Sequence, residues 1–185
     1  MPPLYQLKPI TDASGLHLRV LLHESWQHWN TSGQSHASYL EYLNFWGRTY
    51  KLAPIPAIQC WVVLVGDTAV AMGALNFQEP DFIGFTPRLT DLYVLRAHRG
   101  QGYGKLLTTH LLHQAALQGY SQVFLITVPA AAAFHARHGF TWYLQPYNIM
   151  VKYCEANEKD YPHGHCQKAH QSHRQKAYQQ GRKQL

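Results

Sequence analysis

The chain has 185 residues, 46% of them hydrophobic, and a formal net charge of +6. That length and apolar share suit one domain with a real core and exclude a disordered chain. No run of roughly 18 apolar residues occurs, which excludes a membrane-spanning helix, and the start, Met1 to Lys8, lacks the apolar stretch of a signal peptide.

Leu4 to Ile10 is predicted as a first strand, with apolar Leu4, Leu7 and Ile10 broken by polar residues. Thr11 or Asp12 caps a helix through Trp26, with Leu16, Val20, Leu21 and Trp26 on its apolar face. Asn30 to Ser35 is a polar loop. Ser38 to Trp46 forms a second helix, with Tyr39, Tyr42, Leu43 and Trp46 at helical spacing. Pro54 and Pro56 break the next stretch. Ile58–Val65, Gly66-Asp67 and Thr68–Phe77 make a hairpin. Gln78 to Pro87 is a loop, and Leu89–Leu95 is a strand. A helix follows to Gln118, with Tyr103, Leu107, Leu111 and Ala115 recurring every fourth residue and Gly119 ending it. Val123–Val128 is a buried strand by composition. Pro129 opens a helix over Ala130–His138, and Phe140–Tyr153 forms strand pieces around Pro146. The tail, 156–185, is basic and rich in histidine, and the domain proper is 1–155. Residues 161–185 carry Lys168, Arg174, Lys176, Arg182 and Lys183 with no acid. The first 160 residues hold eleven basic and ten acidic side chains, so they are almost neutral. The order of elements is mixed α/β.

The most informative stretch is Arg99-Gly100-Gln101-Gly102-Tyr103-Gly104-Lys105. Glycines at alternate positions strip side chains from a strand-to-helix turn, so backbone N–H groups can approach a ligand closely. At a helix start those groups have no internal partner and sit at the positive end of the dipole, which favours a phosphate or diphosphate. A P-loop does not fit, because Arg99 stands where its first Gly belongs and Leu106 where its Ser/Thr belongs. A dinucleotide fingerprint does not fit either: the spacing is G-x-G-x-G, and no Asp or Glu occurs between Lys105 and Cys154.

Arg99-x-x-Gly102-x-Gly104 resembles the R/Q-x-x-G-x-G/A signature of the GNAT superfamily of acetyl-CoA-dependent N-acetyltransferases. The resemblance takes in the strand before it, the helix after it, Val123–Thr127, and Phe134-His-Ala-Arg-His-Gly-Phe140, which is similar to the family's F-Y-x-x-x-G-F segment. It implies an α/β (α+β) fold with a mixed central sheet, splayed at the cofactor site and flanked by about four helices. The splayed strands would be Leu89–Leu95 and Val123–Val128. It also implies acetyl-CoA as cofactor. Gly100, Gln101, Gly102, Tyr103, Gly104 and Lys105 would cradle the diphosphate with Arg99 adding charge, and the pantetheine arm would run beside Leu92, Tyr93 and Val94. A backbone N–H at the bulge of this strand, assigned to Val94, would polarise the thioester carbonyl as an oxyanion donor does.

The chain departs from the family at two places. His135 stands where a Tyr often protonates the leaving thiolate, and Val128 stands where an Asn often begins the segment. An imidazolium donates a proton at neutral pH, so His135 is a candidate general acid; the alternative is a helix histidine with no chemical task. The amine must lose a proton before attack. Candidate bases are Glu79, Asp81, Asp91, Glu24 and Glu41, with Asp91 equally readable as a strand-end acid. Trp26, Trp29, Tyr39, Tyr42, Phe45 and Trp46 lie in the region that forms the acceptor wall in the family; Tyr42 and Trp46 read better as core.

Cys60, Cys154 and Cys166 form neither a disulfide framework nor a zinc motif, so a reducing cytoplasm is the expected location. His163, His165, Cys166, His170 and His173 lack the spacing of an ordered metal site, and no metal is expected. The expected function is transfer of acetyl to a primary amine of a small molecule or peptide. Two alternatives are a non-catalytic acyl-CoA-binding module and a toxin-like acetyltransferase of aminoacyl-tRNA, the latter motivated by the basic tail. No aromatic interleaving or RNA-binding motif supports nucleic acid as a partner. A homodimer is expected by family analogy alone.

Overall fold

A computed structural model describes residues 4–13, 15–31, 38–46, 58–78 and 84–154, the side chains of 30, 31 and 44–46 excepted. The expectations for Glu79, Asp81, the side chains of Phe45 and Trp46, and the tail therefore lie outside the described residues. The strands are β1 (Tyr5–Pro9), β2 (Ile58–Val65), β3 (Thr68–Asn76), β4 (Arg88–Val94), β5 (Gln122–Ile126), β6 (Thr141–Leu144) and β7 (Ile149–Tyr153). The helices are α1 (Gly15–Thr31), α2 (Tyr39–Trp46), α3 (Tyr103–Leu117) and α4 (Pro129–Arg137).

The strands form one seven-stranded sheet in the order β1-β2-β3-β4-β5-β7-β6. Every neighbour pair is antiparallel except β4 and β5, which are parallel and joined through α3. β2 and β3 are nearly continuous apolar runs, as strands covered on both faces must be. α1 and α3 supply the cover from opposite sides. α1 buries Leu18, Leu21, Leu22 and Ser25 at helical spacing, and α3 buries Leu107, Leu111 and Ala115. Gly73 lets α3 sit down on the sheet: a Cβ there would lie 3.0 Å from Leu111 and 3.1 Å from Leu92.

Two helix starts differ from the sequence expectation. α1 begins at Gly15 rather than directly after Thr11 or Asp12, because Ile10–Asp12 form a 3-10 turn with Ile10 buried, in which the Thr11 hydroxyl donates to the Asp12 carboxylate at 3.1 Å. α2 begins with a capping box. The Ser38 hydroxyl accepts from the Glu41 N–H at 3.2 Å, and the Glu41 carboxylate accepts from the Ser38 N–H at 3.0 Å. β5 ends at Ile126, two residues before the predicted limit of Val128, which instead precedes Pro129 at the start of α4.

β4 and β5 pair at Arg88 and Phe124 alone, where the Phe124 N–H bonds to the Pro87 carbonyl at 3.0 Å. Beyond that point the two parallel strands have no ladder between them. The sheet is therefore open between the C-terminal halves of its central strands.

Candidate active site

The opening in the sheet meets the glycine turn at the start of α3. Gly102 precedes the helix with φ 88°, in the left-handed region that favours glycine, and provides no side-chain cap. The first intrahelical bond runs from the Leu106 N–H to the Gly102 carbonyl at 2.9 Å. The N–H groups of Tyr103, Gly104 and Lys105 come before it and have no partner within the helix. Gly100, Gln101, Gly102 and Lys105 are exposed, as are Arg96 and Arg99. Tyr103 is different: its side chain is buried edge-on against Tyr5, so it anchors the turn in the core.

Gly104 has a separate reason. A Cβ there would lie 3.1 Å from the ring of Phe134 on α4 and 3.7 Å from Val94. Phe134 thus packs directly on the first turn of α3 and sets how closely α4 approaches β4 across the opening. Sequence reasoning placed Phe134 in a motif but gave it no such task.

β4 carries a bulge. Its pairing with β3 shifts between Met72–Tyr93 and Ala74–Thr90, leaving Asp91 and Leu92 opposite Gly73. Asp91 has φ 52°. The bulge lies two residues ahead of Val94, so the expectation that Val94 occupies it is corrected: the bulged residues are Asp91 and Leu92. Val94 nevertheless faces the opening. The Leu95 N–H bonds to the Val70 carbonyl of β3 at 2.9 Å, and alternation along a strand turns the Val94 groups the other way. The Val94 carbonyl accepts from Arg99 Nε at 3.1 Å. The pairing of Tyr93 with Met72 turns the Leu92 carbonyl toward the opening as well, while the Leu92 N–H lies inside the bulge.

On the α1 face of β4, Tyr93 is buried and its hydroxyl donates to Glu24 Oε1 at 3.0 Å. The same oxygen accepts from the Arg96 N–H at 2.8 Å. Glu24, a candidate base, is thus a clamp between α1 and the end of β4. Burial, then the bond to Glu24, pushes the Tyr93 phenol above its ordinary range. Arg99 lies over the Tyr93 ring at 5.5 Å. His28, one turn after Glu24, places its ring 5.4 Å from Tyr93 and 4.9 Å from Trp29. Burial, followed by Arg99 and Arg96, lowers its pKa, while Glu24 opposes the shift. Sequence reasoning missed His28, because nothing in its local pattern marks it. Glu41 belongs to the α2 cap. Asp91 lies close enough to buried Cys60 to add to the effect of burial, which is the larger cause of that thiol's raised pKa.

The aromatic residues divide. Tyr42 is core, its hydroxyl 2.8 Å from Ser25 Oγ. Trp26, Tyr39 and His23 form one ring cluster at the α1–α2 contact, with centroids 5.1 to 6.0 Å apart. Trp29 joins His28 and Tyr93.

His135 is 7% exposed, its ring edge-on to Phe134 and Phe140. Burial, and then His138, depresses its pKa to about 4. Its imidazole is therefore neutral at neutral pH. This corrects the expectation of an imidazolium acid at this position: the apolar pocket that orders the ring removes its charge. Among the described residues, no cluster of three or more His, Cys, Asp or Glu could hold a metal, and no helix is long and apolar enough to cross a membrane.

Residues 19–140 match the model of the acetyltransferase (GNAT) family. No curated protein sequence matches. Solved structures share the fold at low identity. An acetyltransferase from Streptococcus agalactiae 2603 superposes with TM-score 0.61 at 17% identity, covering 80% of this chain and 98% of that one. A GNAT-family acetyltransferase from Staphylococcus aureus Mu50 gives 0.59 at 13% identity, covering 82% and 100%. A predicted acetyltransferase from Clostridium acetobutylicum, solved with acetyl-CoA, gives 0.57 at 13%, covering 86% and 100%. Likeness at these identities speaks to the fold.

Proposed function

The chain belongs to the GNAT acetyltransferase family, and from that premise we propose that it transfers an acetyl group from acetyl-CoA to the primary amine of a small molecule. Members of this family use acetyl-CoA, which supplies an acetyl group activated as a thioester. The residues present fit it. The observation that carries the reading is the uncapped start of α3, with Gly102 left-handed and the N–H groups of Tyr103, Gly104 and Lys105 lacking internal partners beside the opening between β4 and β5.

In this reading those three amides hold the diphosphate, with the Arg99 and Lys105 side chains contributing charge. Leu92 and Val94 offer their gap-facing backbone groups to the pantetheine arm as an added strand would. Arg99 leaves the Val94 carbonyl when an amide of the arm takes it. An N–H from Leu92 or Val94 polarises the acetyl carbonyl, a contribution typically worth about 3 kcal/mol. Asp91 forms the bulge that aims Leu92. The departing thiolate would take its proton from water rather than from His135. We place the protein in the cytoplasm, as Cys60, buried and unpaired, suits a reducing compartment.

A second reading, an acyl-CoA-binding module without turnover, is favoured by the neutral, buried His135 in place of a proton donor. One experiment separates them. Acetyl-CoA is expected to raise the unfolding temperature, and coenzyme A is expected to be released with at least one member of a panel of primary amines. Binding without release for every amine selects the second reading; no binding overturns both.

A further inference from the structure

Arg99 begins the glycine turn, three residues before Gly102, yet its side chain reaches back to β4. Its Nε donates to the Val94 carbonyl at 3.1 Å, and its guanidinium lies over the Tyr93 ring at 5.5 Å. Tyr93 is a fixed seat, because it is buried and its hydroxyl is bonded to Glu24 at 3.0 Å. The Val94 carbonyl faces the opening, where β5 has no ladder with β4. A donor bonded to an oxygen lies on the side to which that oxygen points, so Arg99 Nε stands in the opening itself. The Arg99 side chain is exposed, and among the described residues no carboxylate pairs with it. Its strongest bond is to a neutral carbonyl. A phosphate offers a guanidinium a charge-assisted, two-pronged partner, which is the better one.

We propose that Arg99 makes the site selective for thioesters that carry a diphosphate: it occupies the place of the pantetheine arm on Val94 until a diphosphate at the start of α3 draws the guanidinium away. The proposal rests on the acetyltransferase reading above. Coenzyme A brings both parts in one molecule. Its diphosphate meets the N–H groups of Tyr103, Gly104 and Lys105, pairs with Arg99, and frees the Val94 carbonyl for an amide N–H of its own arm. A short thioester with the same amide and no diphosphate has to displace Arg99 unaided. The coupling is reciprocal, so filling either place strengthens binding at the other.

The test uses the full chain and three probes: acetyl-CoA, inorganic diphosphate, and S-acetyl-N-acetylcysteamine, a short thioester with one amide N–H. In NMR titrations, Arg99→Ala is expected to bind the short thioester more tightly than the unmodified chain, on the order of tenfold. The preference for acetyl-CoA over the short thioester is expected to fall by at least that factor. Inorganic diphosphate is expected to tighten the short thioester on the unmodified chain and to leave its affinity for Arg99→Ala unchanged. The Val94 carbonyl carbon reports the switch directly. Its signal is expected to move in the same direction when diphosphate is added as it does in Arg99→Ala. Unchanged or weaker binding of the short thioester in Arg99→Ala overturns the proposal, since an arginine that only shapes the turn would give that result. A Val94 carbonyl signal that diphosphate leaves in place overturns it as well. Failure of the unmodified chain to bind acetyl-CoA is a different result and overturns the acetyltransferase reading itself.

Discussion

Gly102 and Gly104 sit two residues apart and are required for unlike reasons, which makes them separable by mutation. Gly102→Ala places a Cβ on a left-handed residue, at a cost of about 1–2 kcal/mol. Nothing lies within 4 Å of that Cβ, so no neighbour has to move. Gly104→Ala keeps a helical backbone but drives a Cβ to 3.1 Å from Phe134. Both are expected to weaken acetyl-CoA binding by calorimetry. Phe134→Leu should restore much of the loss in Gly104→Ala and none of that in Gly102→Ala. Equal rescue of both would remove the packing explanation. Asp91 gives a comparable contrast. Asp and Asn tolerate φ near +50° far better than a β-branched residue does. Asp91→Asn should therefore retain most acetyl-transfer activity, whereas Asp91→Val should lose it together with stability. Loss of activity in Asp91→Asn with the fold intact would return Asp91 to the list of bases.

Between elements, a single carboxylate joins α1 to β4. Glu24 receives the Tyr93 hydroxyl from the strand that borders the opening and the Arg96 N–H from the turn after it. Glu24→Ala leaves the buried Tyr93 hydroxyl with only the long contact to the backbone carbonyl of residue 24, at 3.5 Å, a loss of about 1–3 kcal/mol. The unfolding midpoint should fall by several degrees in calorimetry, at about 2–4 °C per kcal/mol for a chain of this size. Tyr93→Phe should remove most of the added effect of Glu24→Ala in a double-mutant cycle. This clamp also shows where sequence reading stops. The glycine turn, the hairpin and the helix after the turn were legible because each is written in consecutive residues: alternate glycines, an apolar run with Gly66-Asp67, apolar residues every fourth position. Glu24 was legible as a carboxylate near the site but not as a clamp, since its partners are 69 and 72 residues away. His28 left no local trace for the same reason. Thr11 and Asp12 misled because they lie in a 3-10 turn ahead of α1, whereas a cap must stand at the helix start.

At the scale of the molecule, the parting of β4 and β5 leaves backbone without a ladder in the middle of a sheet, beside the apolar packing of Phe134 on α3 and Val94. His135 belongs to that packing, and its protonation links the pocket to global stability. Unfolded, the imidazole titrates at its ordinary 6.5; folded, at about 4. Between those values the unfolded chain binds more protons than the folded one, so stability rises with pH across that window. The contribution is constant above about 6.5. It is lost progressively as pH falls and is fully lost near 4, a difference on the order of 3 kcal/mol. His28 and His110, also lowered by burial, act in the same direction. Urea unfolding of the full chain should therefore show stability falling from pH 7 to pH 4.5. His135→Gln should flatten that slope while lowering stability at pH 7, because it replaces a packed ring with a flexible amide in an apolar pocket. An unchanged slope in His135→Gln would mean that folding does not shift the ring from its ordinary 6.5, and would return His135 to the candidates for proton donor to the leaving thiolate.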